Sequence, residues 1–301
     1  MTPPANELEL APVYPGDAAD GTDVVGDSAP ARVEAENHGW RVLAILSALM
    51  GFASISTDVY LPAMPAMERS LGASNGTMEW TVSGYLIGFS LGQLFWGPIS
   101  DRVGRKRPLA VGLVLFVLGS LGCALSGSVW AMIGWRVVQA VGGSAGVVLA
   151  RAMVRDLFKG DRAAQMLSTL MTVMAIAPLL GPILGGQILR LSGWHAIFVF
   201  LAAFGLATLG ALFTLPETVP VENRSREPLR RAVAQYGELL RDRRLLGYAG
   251  AGGCFYAAMF AYIAGTPFAY ITFYHVSPQA YGLLFGIGVV GIMGSNFINS
   301  R

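Results

Sequence analysis

Residues 97–109 read Gly-Pro-Ile-Ser-Asp-Arg-Val-Gly-Arg-Lys-Arg-Pro-Leu, a basic turn set between two apolar runs. Each run is about 20 residues, enough to cross a bilayer as a helix. Arg102, Arg105, Lys106 and Arg107 resist translocation, so the turn is expected on the cytoplasmic side, and its glycines and prolines permit a tight reversal. Orientation and fold are constrained together. A plain positive-inside hairpin accounts for the arginines but not for the spacing of Gly97, Asp101, Gly104 and Arg105.

The chain is 53% hydrophobic and 13% charged, against the charge content of about a quarter that is usual for soluble domains. Its 301 residues therefore read as a polytopic membrane protein. A formal net charge of +2, with basic residues clustered in loops, gives no continuous face for nucleic acid. Cys123 and Cys254 lie in apolar runs as small packing residues, and no metal or redox chemistry follows. The 38 glycines suit helices that approach closely in lipid.

Residues 1–38 carry eight acidic side chains against one arginine, with five prolines, and read as a disordered cytoplasmic tail. No basic region leads into a short apolar stretch, so the first span is expected to act as its own insertion signal. Spans fall at about 40–62, 80–100, 109–127, 129–150, 166–189, 195–215, 245–271 and 280–299. Basic clusters occupy alternate connections: Arg102 to Arg107, then Arg151, Arg155, Lys159 and Arg162, then Arg224 to Arg244. This pattern predicts a multi-pass inner-membrane protein with its N-terminus in the cytoplasm. Its parts are the tail, a six-helix bundle over 39–215, a cytoplasmic loop over 216–244, and two helices of a second bundle over 245–301. Within the loop Leu229, Val233, Tyr236 and Leu240 recur at helical spacing among arginines, which fits either an amphipathic helix on the inner leaflet or a plain solvated linker. Gly84 and Gly88 match Gly282 and Gly286 at an offset of about 200 residues, the repeat expected of paired bundles.

Asp58 is the acidic residue deepest in an apolar span, at a cost of about 2.5 to 3.5 kcal/mol near the bilayer centre. It is either a proton or cation site or, with Pro62 and Pro65 close by, a rim residue beyond the helix end. Arg136 is the matching cation, roughly 22 Å from the cytoplasmic end of its span, with Asp58 roughly 26 Å from the end of its own. An ion pair between them is geometrically allowed, and Gln139 lies one turn on, facing the same side. In the fifth span Ala177, Gly181 and Gly185 recur at four-residue intervals beside Pro178, Pro182 and Gly186. That pattern fits either a kinked, closely packed functional helix or simple helix packing.

Together these residues resemble the major facilitator superfamily, and most closely the Bcr/CflA multidrug-resistance family of drug:proton antiporters. The resemblance rests on Thr57-Asp58-Val59-Tyr60-Leu61-Pro62-Ala63, the Gly97 to Arg107 turn, Arg136 with Gln139, and Gly181-Pro182 with Gly185-Gly186. It implies that Asp58 and Arg136 serve proton coupling and that the loop of Gly97, Asp101, Arg102, Gly104 and Arg105 stabilises one transport state. It also implies that Gly181, Pro182, Gly185 and Gly186 mark an antiporter. Twelve spans are implied and eight are found, so completion by a further C-terminal segment or by another subunit is expected.

The expected function is efflux of a small amphipathic drug driven by a proton gradient through alternating access, with no other cofactor. The bilayer, protons and a small-molecule drug or metabolite are the partners. A metabolite transporter of the same fold and a non-transporting truncated membrane protein are the alternatives. An enzyme is disfavoured, because no acid/base or metal cluster converges.

Overall fold

The computed structural model describes residues 39–74 and 76–299, and its regular elements are all helical among the described residues. The predicted tail at 1–38 lies outside them. Helix α1 (Gly39–Asp58) is followed by a 3-10 turn (Leu61–Ala63) and a short α2 (Met64–Leu71). Then come α3 (Trp80–Val103), α4 (Lys106–Ala124), α5 (Val129–Leu157), α6 (Gly160–Ser192) and α7 (Trp194–Leu212). Beyond these lie α8 (Leu229–Leu239), α9 (Arg243–Pro267), which continues as a π-helical turn (Phe268–Phe273), and α10 (Pro278–Asn299).

A helix occupies each of the eight expected spans. Six stretches are long and apolar enough to cross a membrane: Trp40–Leu71, Lys106–Ala124, Val129–Leu157, Gly160–Ser192, Trp194–Leu212 and Arg243–Phe273. α10 is apolar over the shorter Pro278–Gly291, and α3, which carries Gln93, Asp101 and Arg102, is not among the six.

Several boundaries differ from the expectation: α5 runs on to Leu157 and α6 starts at Gly160, and two further differences have a local cause. The first helix stops at Asp58 instead of running through 62. Pro62 disfavours helical backbone at the residue before it, and the chain re-forms as the 3-10 turn with Pro62 near its start. At the other end of the bundle, the supposed turn at 97–109 is helical at all but two of its positions. α3 continues through Pro98 to Val103, and the reversal narrows to Gly104 and Arg105. Gly104 has φ +95°, a backbone that side-chain-bearing residues seldom adopt.

Polar side chains set other helix starts. Ser128 accepts from the Ala131 N–H at 3.3 Å to open α5, and Asp242 accepts from the Arg244 and Leu245 N–H groups to open α9.

α5 is the axis of the first bundle. It is flanked by α3 and α4, while α7 covers α4 and α1 lies against α5 and α6. Phe52 of α1 meets Phe116 of α4 edge to face, centroids 4.5 Å apart, and Phe204 of α7 at 5.0 Å. The second group joins the first through α10 on α6, with further contacts from α10 to the 3-10 turn and from the π-helical turn to α2. All of these involve the end of the bundle opposite Gly104.

Candidate functional site

Arg136 is the largest side chain buried without exposure. Its guanidinium carbon lies 4.2 Å from the Tyr60 ring centre and 4.3 Å from that of Tyr85, so the cation is held between two aromatic faces. Nη1 donates to the Ser56 carbonyl at 2.9 Å and to Gln139 Oε1 at 2.7 Å. Gln139 Nε2 then donates to Ser120 Oγ at 2.7 Å, and Ser120 donates to the Phe116 carbonyl. The chain of bonds therefore crosses α1, α5 and α4. Nε and Nη2 of Arg136, Ser56 Oγ and Tyr85 OH are buried without a hydrogen-bond partner, and such groups carry a desolvation cost unless a ligand or proton carrier meets them.

Asp58 is 4% exposed, so it is buried, although it is the last residue of α1. The pair with Arg136 that their similar depth allows is not formed: no ion pair among the described residues joins them. Arg136 instead grips the chain on both sides of the acid, through the carbonyl of Ser56 in α1 and the ring of Tyr60 just past its end. Thr57 Oγ1 has the Ala53 and Ser54 carbonyls and Asp58 Oδ1 within 3.0 to 3.3 Å, three acceptors for its one hydroxyl proton.

The lid over Asp58 is α6. A Cβ on Gly181 would stand 2.7 Å from Asp58 Cβ, and one on Gly185 would collide with the Val59 carbonyl. One turn of the same helix faces the other way. Gly186 meets the Pro278 carbonyl, its own carbonyl accepts from Gln279 Nε2 at 3.1 Å, and Gly282 packs on the Pro182 carbonyl. Gly181, Pro182, Gly185 and Gly186 are thus the seam on which α1 and α10 meet α6.

The loop residues form a second cluster at the far end of α3. Arg105 Nε donates to Asp156 Oδ2 at 2.9 Å, and Nη1 donates to Asp101 Oδ1 and Ser100 Oγ. Burial alone would lower the Arg105 guanidinium, but Asp156 and Asp101 outweigh it and hold its pKa above the ordinary value. Glu217 accepts from the Arg105 and Lys106 N–H groups at 2.7 and 3.2 Å, so a carboxylate caps α4 from the connection after α7. Thr218 Oγ1 donates to Asp156, and Lys106 Nζ donates to the Leu215 carbonyl at 2.5 Å. An open cleft of about 480 Å³ lies beside the cluster, lined by Arg105, Arg155, Asp156 and Thr218 among others. Arg102 is exposed, and Gly97 has open space around it.

The structure brings Asp58 together with Gly181 and Gly185, and Arg136 with Gln139. It keeps these two groups apart from the loop cluster. Sequence reasoning missed Glu217 and Thr218 and did not single out Tyr60 and Tyr85 as the walls around Arg136. The only sequence signal for Glu217 is an acid in the polar stretch just past an apolar run.

Residues 38–301 match the Major Facilitator Superfamily. The chain is 40% identical over 260 residues to the uncharacterized MFS-type transporter YdgK of Bacillus subtilis, covering 85% of this chain and 65% of that protein. It is 35% identical over 262 residues to a bicyclomycin resistance protein homolog of Haemophilus influenzae, covering 86% and 65%. It is 32% identical over 273 residues to a chloramphenicol resistance protein of Pseudomonas aeruginosa, covering 88% and 61%. The chain thus spans slightly less than two thirds of the length of these relatives, whose names agree with the Bcr/CflA resemblance. Among solved structures it is similar to a bacterial homologue of the human lysosomal transporter Spinster, with TM-score 0.67, 16% identity and coverage of 86% of this chain and 59% of that one. It is also similar to a D-xylose-proton symporter, with TM-score 0.60, 20% identity and coverage of 82% and 65%. At such identities the likeness is one of fold.

Proposed function

From the premise that this chain belongs to the major facilitator superfamily, we propose that it serves proton-coupled efflux of small amphipathic drugs across the inner membrane by alternating access. The family consists of multi-pass membrane transporters and not of enzymes. The relatives named for bicyclomycin and chloramphenicol resistance support a drug as cargo. The placement of lysines and arginines in alternate connections supports a cytoplasmic N-terminus.

The observation that carries the reading is the burial of Asp58 at the junction of α1, α6 and the seam to α10. A carboxyl there is neutral or charged according to whether it holds a proton, and a buried charge without an ion-pair partner is costly. Loading and releasing a proton therefore changes how well the end of α1 tolerates its place against α6. Arg136 is tied to α1 at Ser56 and Tyr60, so displacement of that segment reaches the bonds to Gln139 and Ser120. In this arrangement Asp58 carries the proton, Arg136 and Gln139 sense it, and the Arg105 cluster holds one transport state. The bundles meet at the end opposite Gly104, which supports a state closed on that side.

The test is transport of chloramphenicol, bicyclomycin and a cationic dye into everted membrane vesicles that contain the chain completed by the C-terminal helices of a relative, with an imposed pH gradient. Gradient-dependent accumulation lost in Asp58→Asn is the expected result. Accumulation of none of them, or accumulation indifferent to the gradient, would overturn the reading.

A further inference from the structure

Pro98 lies inside α3 and has no N–H, so it cannot supply the helical hydrogen bond to the carbonyl four residues back, that of Leu94. Leu94 is 46% exposed on the outside of the bundle, among the exposed Leu91 and Phe95. In hydrocarbon a carbonyl freed in this way needs another donor. The structure supplies one from far along the chain: Tyr236 OH of α8 donates to the Leu94 carbonyl at 2.9 Å. A second proline repeats the device locally. Pro267 frees the Ile263 carbonyl, and Thr266 Oγ1 donates to it at 3.1 Å.

The Tyr236 bond lies about 13 Å along α3 from Val103, counted at 1.5 Å per residue, and it holds α8 against the outside of the first bundle. Leu239 and Leu240 are left exposed at the end of α8. Arg230 and Arg231 at its start and Arg241, Arg243 and Arg244 just beyond it are also exposed. The local acids are fewer, three against these five arginines: Glu227 pairs with Arg231, Asp242 caps α9, and Glu238 is exposed beside Leu239. Exposed leucines beside an excess of arginine match the boundary of a bilayer, with acyl chains under the leucines and acidic headgroups against the arginines.

We propose that α8 is an interfacial helix that binds acidic lipid headgroups, and that Tyr236 sets its position by completing the hydrogen bonding that Pro98 leaves open on α3. A soluble anion would find the arginines but would not need the leucines. The occupant is therefore the lipid surface. The juxtaposition also makes Pro98 and Tyr236 a functional pair separated by more than a hundred positions.

The experiment uses the chain with Cys254→Ser and Leu239→Cys, labelled with an environment-sensitive fluorophore in nanodiscs of phosphatidylcholine alone or with phosphatidylglycerol. Lipids spin-labelled near the headgroup serve as quencher. Stronger quenching with the acidic lipid is expected, and its loss when Arg230, Arg241 and Arg244 are changed to Gln. Tyr236→Phe is expected to lower the docked fraction relative to the undocked by about two- to tenfold, the range of one neutral hydrogen bond. In a Pro98→Ala background, where the helix supplies its own donor to Leu94, Tyr236→Phe is expected to change nothing further. Equal quenching in both lipids would overturn the headgroup assignment. Unchanged quenching in Tyr236→Phe with Pro98 intact would overturn the role given to the tyrosine.

Discussion

The guanidinium of Arg136 is stacked on the ring of Tyr60, 4.2 Å from its centre, while the carboxylate two residues earlier in the chain is left to other neighbours. The aromatic face therefore offsets part of the cost of burying this cation. Tyr60→Phe keeps the face and loses only the hydroxyl contact with Thr81 Oγ1 at 3.2 Å, a cost of about 1 kcal/mol. Tyr60→Leu loses the face as well, about 2 kcal/mol more at a desolvated site. Thermal unfolding in detergent should rank wild type, Tyr60→Phe and Tyr60→Leu in that order of stability. Equal melting of the two variants would mean that the ring does not hold Arg136.

Asp58→Asn should leave the bundle folded, because the amide fits the same space against Gly181, yet it should abolish transport driven by a pH gradient. Downhill drug equilibration should persist. Vesicle flux with and without the gradient separates the two. Retained uphill transport with an unchanged pH dependence would remove Asp58 from the coupling mechanism.

Glycines on one chain give opposite expectations according to what faces them. At Gly185 a methyl group would occupy the Val59 carbonyl, whereas at Gly134 and Gly210 nothing stands within 4 Å. Gly185→Ala should therefore destabilise the protein and loosen α6 from α1. Gly134→Ala and Gly210→Ala should be neutral or stabilising by about 0.5 to 1 kcal/mol, the helical preference for alanine. Melting temperatures of the three variants, measured side by side, decide the matter.

Much of this was legible in the residues because hydropathy and charge act locally. Eight helices follow from apolar length, six of them long and apolar enough to cross a membrane, and Asp58 and Arg136 stand out because each is isolated in an apolar run. Gln139 follows from one helical turn. The aromatic cage was not legible, since tyrosines near membrane helices are common and only the fold brings Tyr60 and Tyr85 to one guanidinium. The missing Asp58–Arg136 pair has the same origin, because similar depth along two helices says nothing of the angle at which side chains leave them. Glu217 was hidden most completely: its partners, the N–H groups of Arg105 and Lys106, lie 112 and 111 positions earlier.

That remote cap yields a further expectation. Glu217→Ala should cost about 1 to 2 kcal/mol, the usual worth of a helix cap, and should release the connection after α7 from the start of α4. Glu217→Gln keeps one acceptor oxygen and should fall between. Hydrogen exchange at the first turn of α4 is the sensitive readout. Protection unchanged in Glu217→Ala would show that Asp101, Asp156 and Ser100 hold the loop without it.

Where Gly185 rests on Val59 and Gly282 on Pro182, main chain touches main chain with no layer of side chains between. Interlocked side chains must change rotamer or climb over one another when helices slide, and this sets discrete steps. A bare backbone contact has no teeth of that kind. If the chain works by alternating access as proposed, the bare α6–α10 contact is where it would pivot, while the bonds around Arg105, all within the first bundle and the connection after α7, would keep that end rigid. A pivot at one end of the bundle and a rigid knot at the other would make the helices between them the arm of a lever.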